Sequence, residues 1–174
     1  RRHQGLLPTD PGRVAGLRAE YQASLPGRKL VGLSWRHGPG ADLAPLLAWS
    51  ELFERADIAI VSVQIGADPD QLAAFGAQTG HNLIRDPRID GAASSVDYAT
   101  QLAALDLVVA ADDVPAFLAA SLGRPVCKIA SGIEHWGWGA EQAATVWAPN
   151  ARVVRPSNGS APQIEEVLKA LAHA

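Results

Sequence analysis

Side chains suited to nucleotide binding occur in four separate segments of the chain. The segments contain, in order, Ser34-Trp35-Arg36-His37, then Gln64, then Asp112 and Asp113, then Trp136 and Trp138. Arginine and histidine donate hydrogen bonds to phosphate oxygens, a glutamine amide can bond a base edge, and tryptophan offers a stacking surface. Glycines at residues 38, 40, 66, 132, 137 and 139 allow close backbone approach to a ligand. The sequence therefore predicts a ligand cleft wherever the fold brings these segments together.

Short apolar runs alternate with helical patterns along most of the chain. Strands are predicted at residues 29–35, 58–63, 82–85, 105–111, 125–130 and 152–154, and helices at residues 10–24, 43–54, 70–79, 94–104, 114–122 and 162–172. This alternation predicts an α/β fold, a Rossmann-like doubly wound parallel sheet, whose ligands bind at the carboxyl ends of the strands. Each of the four segments follows a predicted strand.

The first 28 residues lie outside this alternation. Asp10 and Pro11 are typical of a helix start, so a helix is expected to lead into the sheet from outside. We therefore divide the chain into an N-terminal connector with a helix, residues 1–28, and a Rossmann-like domain, residues 29–174. The chain contains no methionine, so it is expected to be part of a longer protein.

Several classes of site lack their sequence signature. Residues 38–42 read Gly-Pro-Gly-Ala-Asp, without the third glycine of the dinucleotide fingerprint, so a dehydrogenase-like site is disfavoured. There is no Walker lysine pattern, no G-x-S-x-G nucleophile elbow, and no histidine–cysteine cluster with zinc spacing. We expect no metal and no cofactor.

The composition is that of an ordinary globular domain, with 48% hydrophobic and 19% charged residues among 174. A formal net charge of -3 leaves no basic excess, so nucleic acid is not an expected partner. No apolar run approaches the roughly 20 residues of a membrane span, and none is expected. The lone Cys127 lies in an apolar segment, which favours a core thiol over a nucleophile. A single cysteine cannot form an internal disulfide, so we expect a cytoplasmic location.

Five segments together resemble a known family. In chain order they read VGLSWR (31–36), IAIVSVQIG (58–66), LDLVVAADDVPAFLAASLGRPV (105–126), HWGWG (135–139) and VWAPNARVVRP (146–156). This order is similar to the C-terminal half of GT-B glycosyltransferases, especially the bacterial domains that follow tetratricopeptide repeats, akin to the heptosyltransferase and protein O-GlcNAc transferase groups. The resemblance covers nearly the whole chain, and residues 6–21 look like the family's interdomain connector.

The resemblance implies a GT-B half-domain that binds a nucleotide diphosphate sugar. Ser34, Trp35 and Arg36 would face the donor phosphates, and Gln64 would lie near the nucleotide. His37 is our preferred further polar contact, and either Trp136 or Trp138 could stack on a ligand ring, although packing of their loop onto the domain is the competing interpretation. An N-terminal acceptor domain or tetratricopeptide repeats in a longer chain would be the partner.

The helix after residue 111 departs from the family pattern. Where relatives carry threonine and histidine, this chain has Asp113 and Phe117. Asp112 and Asp113 are interpreted as helix caps, and the Asp113 carboxylate would occupy the amides that otherwise receive phosphate and would repel a second anion. The ring of Phe117 cannot make the hydrogen bonds that the histidine of the family pattern could make. Two hypotheses therefore stand: a donor-binding glycosyltransferase domain, supported by Arg36 and Gln64, and a degenerate interaction or scaffold module, supported by Asp113 and Phe117.

Overall fold

The computed structural model describes residues 6–23, 25–36, 46–111, 113–130, 136–138, 147–155 and 164–172, with only the backbone described at residues 113 and 136. These residues form an α/β fold around one parallel sheet. The five strands are β1 (Lys29–Ser34), β2 (Ile58–Ser62), β3 (Leu107–Ala110), β4 (Val126–Ile129) and β5 (Ala151–Val154). The predicted Rossmann-like doubly wound class is confirmed.

The strand order across the sheet is β2-β1-β3-β4-β5. The chain runs outward from β1 to β2, then crosses back to lie beside β1 as β3. The order therefore reverses between β1 and β3, and in open α/β sheets the ligand crevice lies at such a reversal. This position is the boundary between the segments that follow β1 and β3.

A sixth strand position is reduced to a single bridge. Ile84 pairs with β2 in parallel, donating its N–H to Ile60 at 2.8 Å and accepting from Ser62 at 2.8 Å. The strand predicted at residues 82–85 stops there because Asp86 starts a turn, in which its carboxylate accepts from the Arg88 N–H at 3.0 Å. An aspartate that bonds the backbone two residues on competes with strand pairing.

Helices cover both faces of the sheet. They are α1 (Pro11–Ala23), α2 (Ser50–Phe53), which extends a 3-10 turn at Leu46–Trp49, α3 (Pro69–Thr79), α4 (Ser95–Ala103), α5 (Asp113–Ser121) and α6 (Ile164–Ala172), with a second 3-10 turn at Trp136–Trp138. One core cluster joins the sheet to α1, α4 and α5, and a second joins it to α2, α3 and α6. Alternate residues of β1 divide between the clusters, since Leu30 belongs to the first and Val31 to the second.

Capping residues delimit α3 and α4 close to the bounds that the sequence predicted. The Asp68 side chain caps α3 before Pro69, and Gly80 ends that helix with a left-handed φ of 73°. Ser94 caps α4 by accepting from the Asp97 N–H. The helix predicted at residues 43–54 is described from residue 46, where it begins as a 3-10 turn. Within the described ranges, no helix combines the length and apolarity that a bilayer crossing requires.

Candidate functional site

The predicted site segments follow the carboxyl ends of neighbouring parallel strands. Residues 34–36 lie at the end of β1 and just after it, and residues 62–66 lie at the end of β2 and just after it. The backbone of residue 113 begins α5, which follows β3. The 3-10 turn at Trp136–Trp138 follows β4. All four segments therefore lie along one edge of the sheet. His37, Asp112 and the side chains of Asp113 and Trp136 lie outside the described residues, so the predicted capping by Asp113 stays a prediction.

Gln64 ties the segment after β2 to the segment after β1. Its Oε1 accepts from the Ser34 hydroxyl at 3.1 Å and from the Arg36 backbone N–H at 2.8 Å, and its Nε2 donates to the Ile65 carbonyl at 3.2 Å. Ser34 has no exposed surface, and Gln64 is only 8% exposed. The amide thus fixes the backbone of Arg36 relative to β2, which positions the guanidinium.

Arg36 is the cation of this cluster. Its guanidinium donates to the Gly66 carbonyl, while its Nε is buried without a hydrogen-bond partner in the described part of the chain. A buried N–H donor without an acceptor costs free energy, which an anionic or carbonyl oxygen arriving at that point would recover. Gly66 adopts a left-handed φ of 65°, which lets its carbonyl face Arg36.

Trp35 points away from this cluster. Its ring has no exposed surface and its Nε1 donates to Gln71 of α3 at 3.0 Å. Val31, Leu33 and Trp35 share one core cluster because alternate residues of an extended chain face the same side. A ligand contact by Trp35 would require the ring to leave the core, whereas Ser34 and Arg36 are on the side of Gln64.

A polar cavity of about 250 Å³ opens beside Gln64. Its walls come from the residues after β2, from the turn at residues 85–91 and from α4, and the polar side chains that line it include Gln64, Arg85, Asp86, Asp90 and Gln101. A Cβ on Gly91 would lie 2.9 Å from Ile65 Cγ1 and 3.1 Å from the Tyr98 ring, so only glycine fits there without displacing a wall. The cavity is too small for a whole nucleotide sugar and large enough for part of one.

Two residues around the cavity are held firmly. Tyr98 is 3% exposed and donates to the Val63 carbonyl at 2.6 Å. Asp86 is 7% exposed, and its hydrogen bonds from Arg88 hold the pKa of the carboxyl below its usual value despite burial. Asp86 is therefore a carboxylate at neutral pH. Asp86 and Gln101 were not singled out in the sequence, because only the fold places them beside Gln64.

The predicted tryptophan loop contributes a packed aromatic cluster. Phe117, Trp138 and Trp147 form this aromatic cluster, with ring centroids 4.5 Å apart for Phe117–Trp138, 5.2 Å for Phe117–Trp147 and 5.3 Å for Trp138–Trp147. Trp138 has no exposed surface, and Trp147 Nε1 donates to the Gly137 carbonyl at 2.6 Å. For Trp138, packing of the loop onto the domain is what the structure shows, and stacking on a ligand would require the ring to be uncovered.

Lys128 is a charged residue of this edge that the sequence analysis missed. It lies in β4 with no exposed surface, and its Nζ donates to the Ala111 and Ile129 carbonyls, each at 3.0 Å. Alternation along β4 places its side chain on the α5 side of the sheet. A buried ammonium needs such oxygen partners to offset its lost hydration. A lysine inside an otherwise apolar strand was the available signal.

Other reactive chemistry is not found at this edge. Burial raises the pKa of the Cys127 thiol to about 12, so it is a core thiol and not a thiolate nucleophile at neutral pH. Among the residues that the structure describes, no group of three histidine, cysteine or acidic side chains is arranged to hold a metal ion.

Comparison with known proteins gives one similar curated sequence and several similar solved structures, while no protein-family model matches the chain. Protein FlbA of Caulobacter vibrioides is 26% identical over 140 residues, which cover 78% of this chain and 23% of FlbA. This chain therefore corresponds to less than a quarter of that protein's length.

The similar solved structures are glycosyltransferases. Escherichia coli ADP-heptose lipopolysaccharide heptosyltransferase II matches with a TM-score of 0.60 at 18% identity, over 96% of this chain and 53% of the enzyme. A family 9 glycosyltransferase from Veillonella parvula matches with a TM-score of 0.57 at 14% identity, over 94% of this chain and 46% of that protein. E. coli heptosyltransferase WaaC with ADP-2-deoxy-2-fluoro heptose matches with a TM-score of 0.51 at 19% identity, over 91% of this chain and 48% of the enzyme.

These matches show a shared fold. The chain has the Rossmann-like architecture of about half of a GT-B-like glycosyltransferase, as the resemblance implied. The three structures named above are two heptosyltransferases and a family 9 glycosyltransferase, and they do not test the tetratricopeptide-linked type. The link to that type therefore stays a prediction.

Proposed function

We propose that this chain is the donor-binding half of a glycosyltransferase and holds a nucleotide diphosphate sugar at the carboxyl edge of β1 and β2. The observation that carries the proposal is the Gln64 cluster, in which one amide orients Arg36 beside a polar cavity at the carboxyl end of β2. The architecture shared with heptosyltransferases, one of which was solved with an ADP-sugar analogue, supports the donor class.

Arg36 is assigned to the diphosphate. A guanidinium forms charge-assisted, geometrically specific hydrogen bonds with phosphate oxygens. Its Nε–H has no acceptor in the described structure, and the side chain is only partly buried. A phosphate at this position would satisfy that donor and would gain the charge of the guanidinium. This contact would also stabilise the diphosphate as a leaving group.

The cavity beside Gln64 is assigned to the nucleoside part of the donor. Its polar side chains provide donors and acceptors for a base or a ribose, and Ile65 adds an apolar surface to the wall. The cavity volume of about 250 Å³ suits a base or a ribose and not both. The sugar would then project from the edge, away from this domain.

Transfer requires a second half of the protein. The bond between the sugar carbon and the diphosphate oxygen breaks, the acceptor oxygen forms the new glycosidic bond, and its proton passes to a base. We assign the base and the acceptor, a protein or a glycan, to an N-terminal domain or tetratricopeptide repeats of a longer chain in the cytoplasm. The isolated chain is expected to bind the donor without turnover.

The test is calorimetric titration with ADP, UDP, GDP and CDP, each with and without a sugar. We expect micromolar binding of at least one, and a loss of about tenfold or more in Arg36→Gln, since charged hydrogen bonds contribute about 1.5–3 kcal/mol. The matched control is Arg55→Gln, an exposed arginine paired with Asp57 at the opposite edge of the sheet, which should bind as the parent does. Absence of binding across the panel, or an unchanged Arg36→Gln, would overturn the proposal.

The second candidate is a non-catalytic interaction module. It is favoured by the aromatic cluster, because Phe117 stands where the family pattern has histidine and is packed between two tryptophans. A module of this kind would retain the fold and lose the donor. The same titration distinguishes the two candidates, since the module binds none of the nucleotides.

A further inference from the structure

Helix α1 is attached to the rest of the domain by three charged contacts. Arg13 pairs with Asp97 at 2.5 Å, Arg18 with Asp106 at 2.8 Å, and Glu20 with Arg88 at 2.6 Å. The first two partners belong to α4 and to the residue before β3. The third differs, because Arg88 lies in the turn at residues 85–91 that forms a wall of the cavity. We call this turn the cavity wall.

Tyr21 is the buried residue of α1 and reaches the same wall. Its hydroxyl accepts from Gln101 Nε2 at 3.0 Å and donates to Asp86 Oδ2 at 3.3 Å. Burial raises the pKa of the Tyr21 hydroxyl well above its usual value, so the proton stays on the oxygen and the hydroxyl remains a donor to the carboxylate. One hydroxyl therefore connects α1 to two side chains at once.

Asp86 and Gln101 both line the cavity from the other side. The Asp86 carboxylate holds the wall together by accepting from the Arg88 backbone N–H at 3.0 Å and from the Arg88 guanidinium at 2.9 and 2.7 Å. The Ile89 N–H donates to the Asp86 carbonyl at 3.2 Å and closes the turn. Tyr21 thus supports, from behind, the polar groups that a ligand in the cavity would contact from the front.

We propose that Tyr21 is a positioning residue through which helix α1 holds the cavity wall in its binding conformation. Loss of the hydroxyl removes one donor from Asp86, which keeps its bonds from Arg88, and removes the acceptor for Gln101, whose side chain can then reorient. Any partner or neighbouring segment that displaces α1 then changes the affinity of the cavity. The consequence for affinity rests on the proposed function, whereas the mechanical link between α1 and the wall does not.

The experiment compares Tyr21→Phe with Arg13→Gln by hydrogen–deuterium exchange. We expect amides of the cavity wall to exchange roughly threefold to tenfold faster in Tyr21→Phe, as loss of a buried hydrogen bond predicts. Arg13→Gln breaks an ion pair of the same helix whose partner, Asp97, belongs to α4 and not to the wall, and should leave those amides unchanged. Glu20→Gln, an exposed substitution that preserves folding, should accelerate the exchange of the wall amides less than Tyr21→Phe does.

The two proposals fail in different ways. Unchanged exchange of the wall in Tyr21→Phe overturns the role of Tyr21, as does equal acceleration in Arg13→Gln. Where the parent binds a nucleotide, Tyr21→Phe should weaken that binding roughly tenfold, and an unaltered Kd also overturns the role. If the parent binds no nucleotide but the wall amides exchange faster in Tyr21→Phe, the role of Tyr21 in holding the wall is supported and the proposed donor function is wrong.

Discussion

The two sides of the carboxyl edge differ in what their side chains do. Beside β1 and β2, Gln64 and Arg36 form a polar cluster that opens into a cavity. Beside β3 and β4, the aromatic cluster packs loop against helix, and Lys128 is sealed among backbone oxygens. Among the described residues, the first side has polar groups that can exchange water for a ligand, whereas the side chains of the second side are packed into the fold. We therefore expect donor binding by this domain to depend mainly on the first side.

The largest effect is expected from Trp138→Ala on the packed side. Its ring is fully buried against Phe117 and Trp147, so the substitution should lower the free energy of unfolding by about 3–5 kcal/mol. Urea unfolding followed by circular dichroism measures this loss. Val96→Ala, at a residue 64% exposed, should change stability by less than about 0.5 kcal/mol. Nucleotide affinity at low temperature should stay unchanged, and a large loss of affinity would break the comparison.

Asp113→Thr tests whether the acidic helix start weakens the site. The substitution removes a negative charge from the first residue of α5, at the edge where a diphosphate would lie. Reduced repulsion should tighten nucleotide diphosphate binding about tenfold, which calorimetry measures. Asp57→Thr, an acidic residue at the opposite edge, serves as the control. Equal affinity in Asp113→Thr and the parent would show that the carboxylate does not oppose the ligand.

Phe117→His is best tested separately from Asp113→Thr. Phe117 packs against both tryptophans, so histidine at this position would place a polar ring in an apolar cluster. A double substitution would therefore mix a gain in affinity with a loss of stability.

Acid unfolding should reveal the buried carboxylate of the cavity wall. Hydrogen bonds from Arg88 lower the pKa of folded Asp86 below its unfolded value of about 3.9, so the folded state binds the proton less readily. The resulting stabilisation is present above about pH 4 and is lost as pH falls through the folded pKa. In unfolding experiments at a series of pH values, Asp86→Asn should therefore reduce the fall in the free energy of unfolding between about pH 4 and lower pH. The exposed pair Arg55–Asp57 is screened by water, so Asp57→Asn should alter the decline less.

The smallest effects are expected at two glycines. A Cβ at Gly91 would meet Ile65 and Tyr98, so Gly91→Ala should lower stability by about 1 kcal/mol and narrow the cavity. Gly16, in α1, has nothing within 4 Å of a Cβ, so Gly16→Ala should raise stability by about 0.5–1 kcal/mol. Thermal unfolding of both variants gives the comparison. An equal increase in melting temperature for Gly91→Ala and Gly16→Ala would mean that the packing around Gly91 is looser than the structure indicates.

Much of the fold follows from local patterns. The apolar runs predicted β1 and β2, and Asp68, Ser94 and Gly80 delimit helices close to the predicted bounds. These signals succeed because capping and left-handed glycine depend on a few neighbouring residues. The predicted strand at residues 82–85 survived as one bridge because Asp86 bonds to its own turn and to Tyr21 from a distant helix.

The site was predictable only in part. Gln64 and Arg36 meet because both follow neighbouring strands, which the strand pattern implies. Trp35 was expected at the ligand, but the alternation of β1 carries it into the core with Val31 and Leu33. Lys128 and Asp86 acquire their surroundings from residues far away in sequence, so no local signal identifies their partners.

The buried ammonium of Lys128 also provides a chemical assay for the integrity of this edge. The chain contains three lysines, and the other two, Lys29 and Lys169, are partly or well exposed. Reductive methylation should modify those two within minutes and reach Lys128 only when β4 separates from the turn before α5. Mass spectrometry of the peptide that contains Lys128 would therefore report how often the interior of the domain opens to reagent.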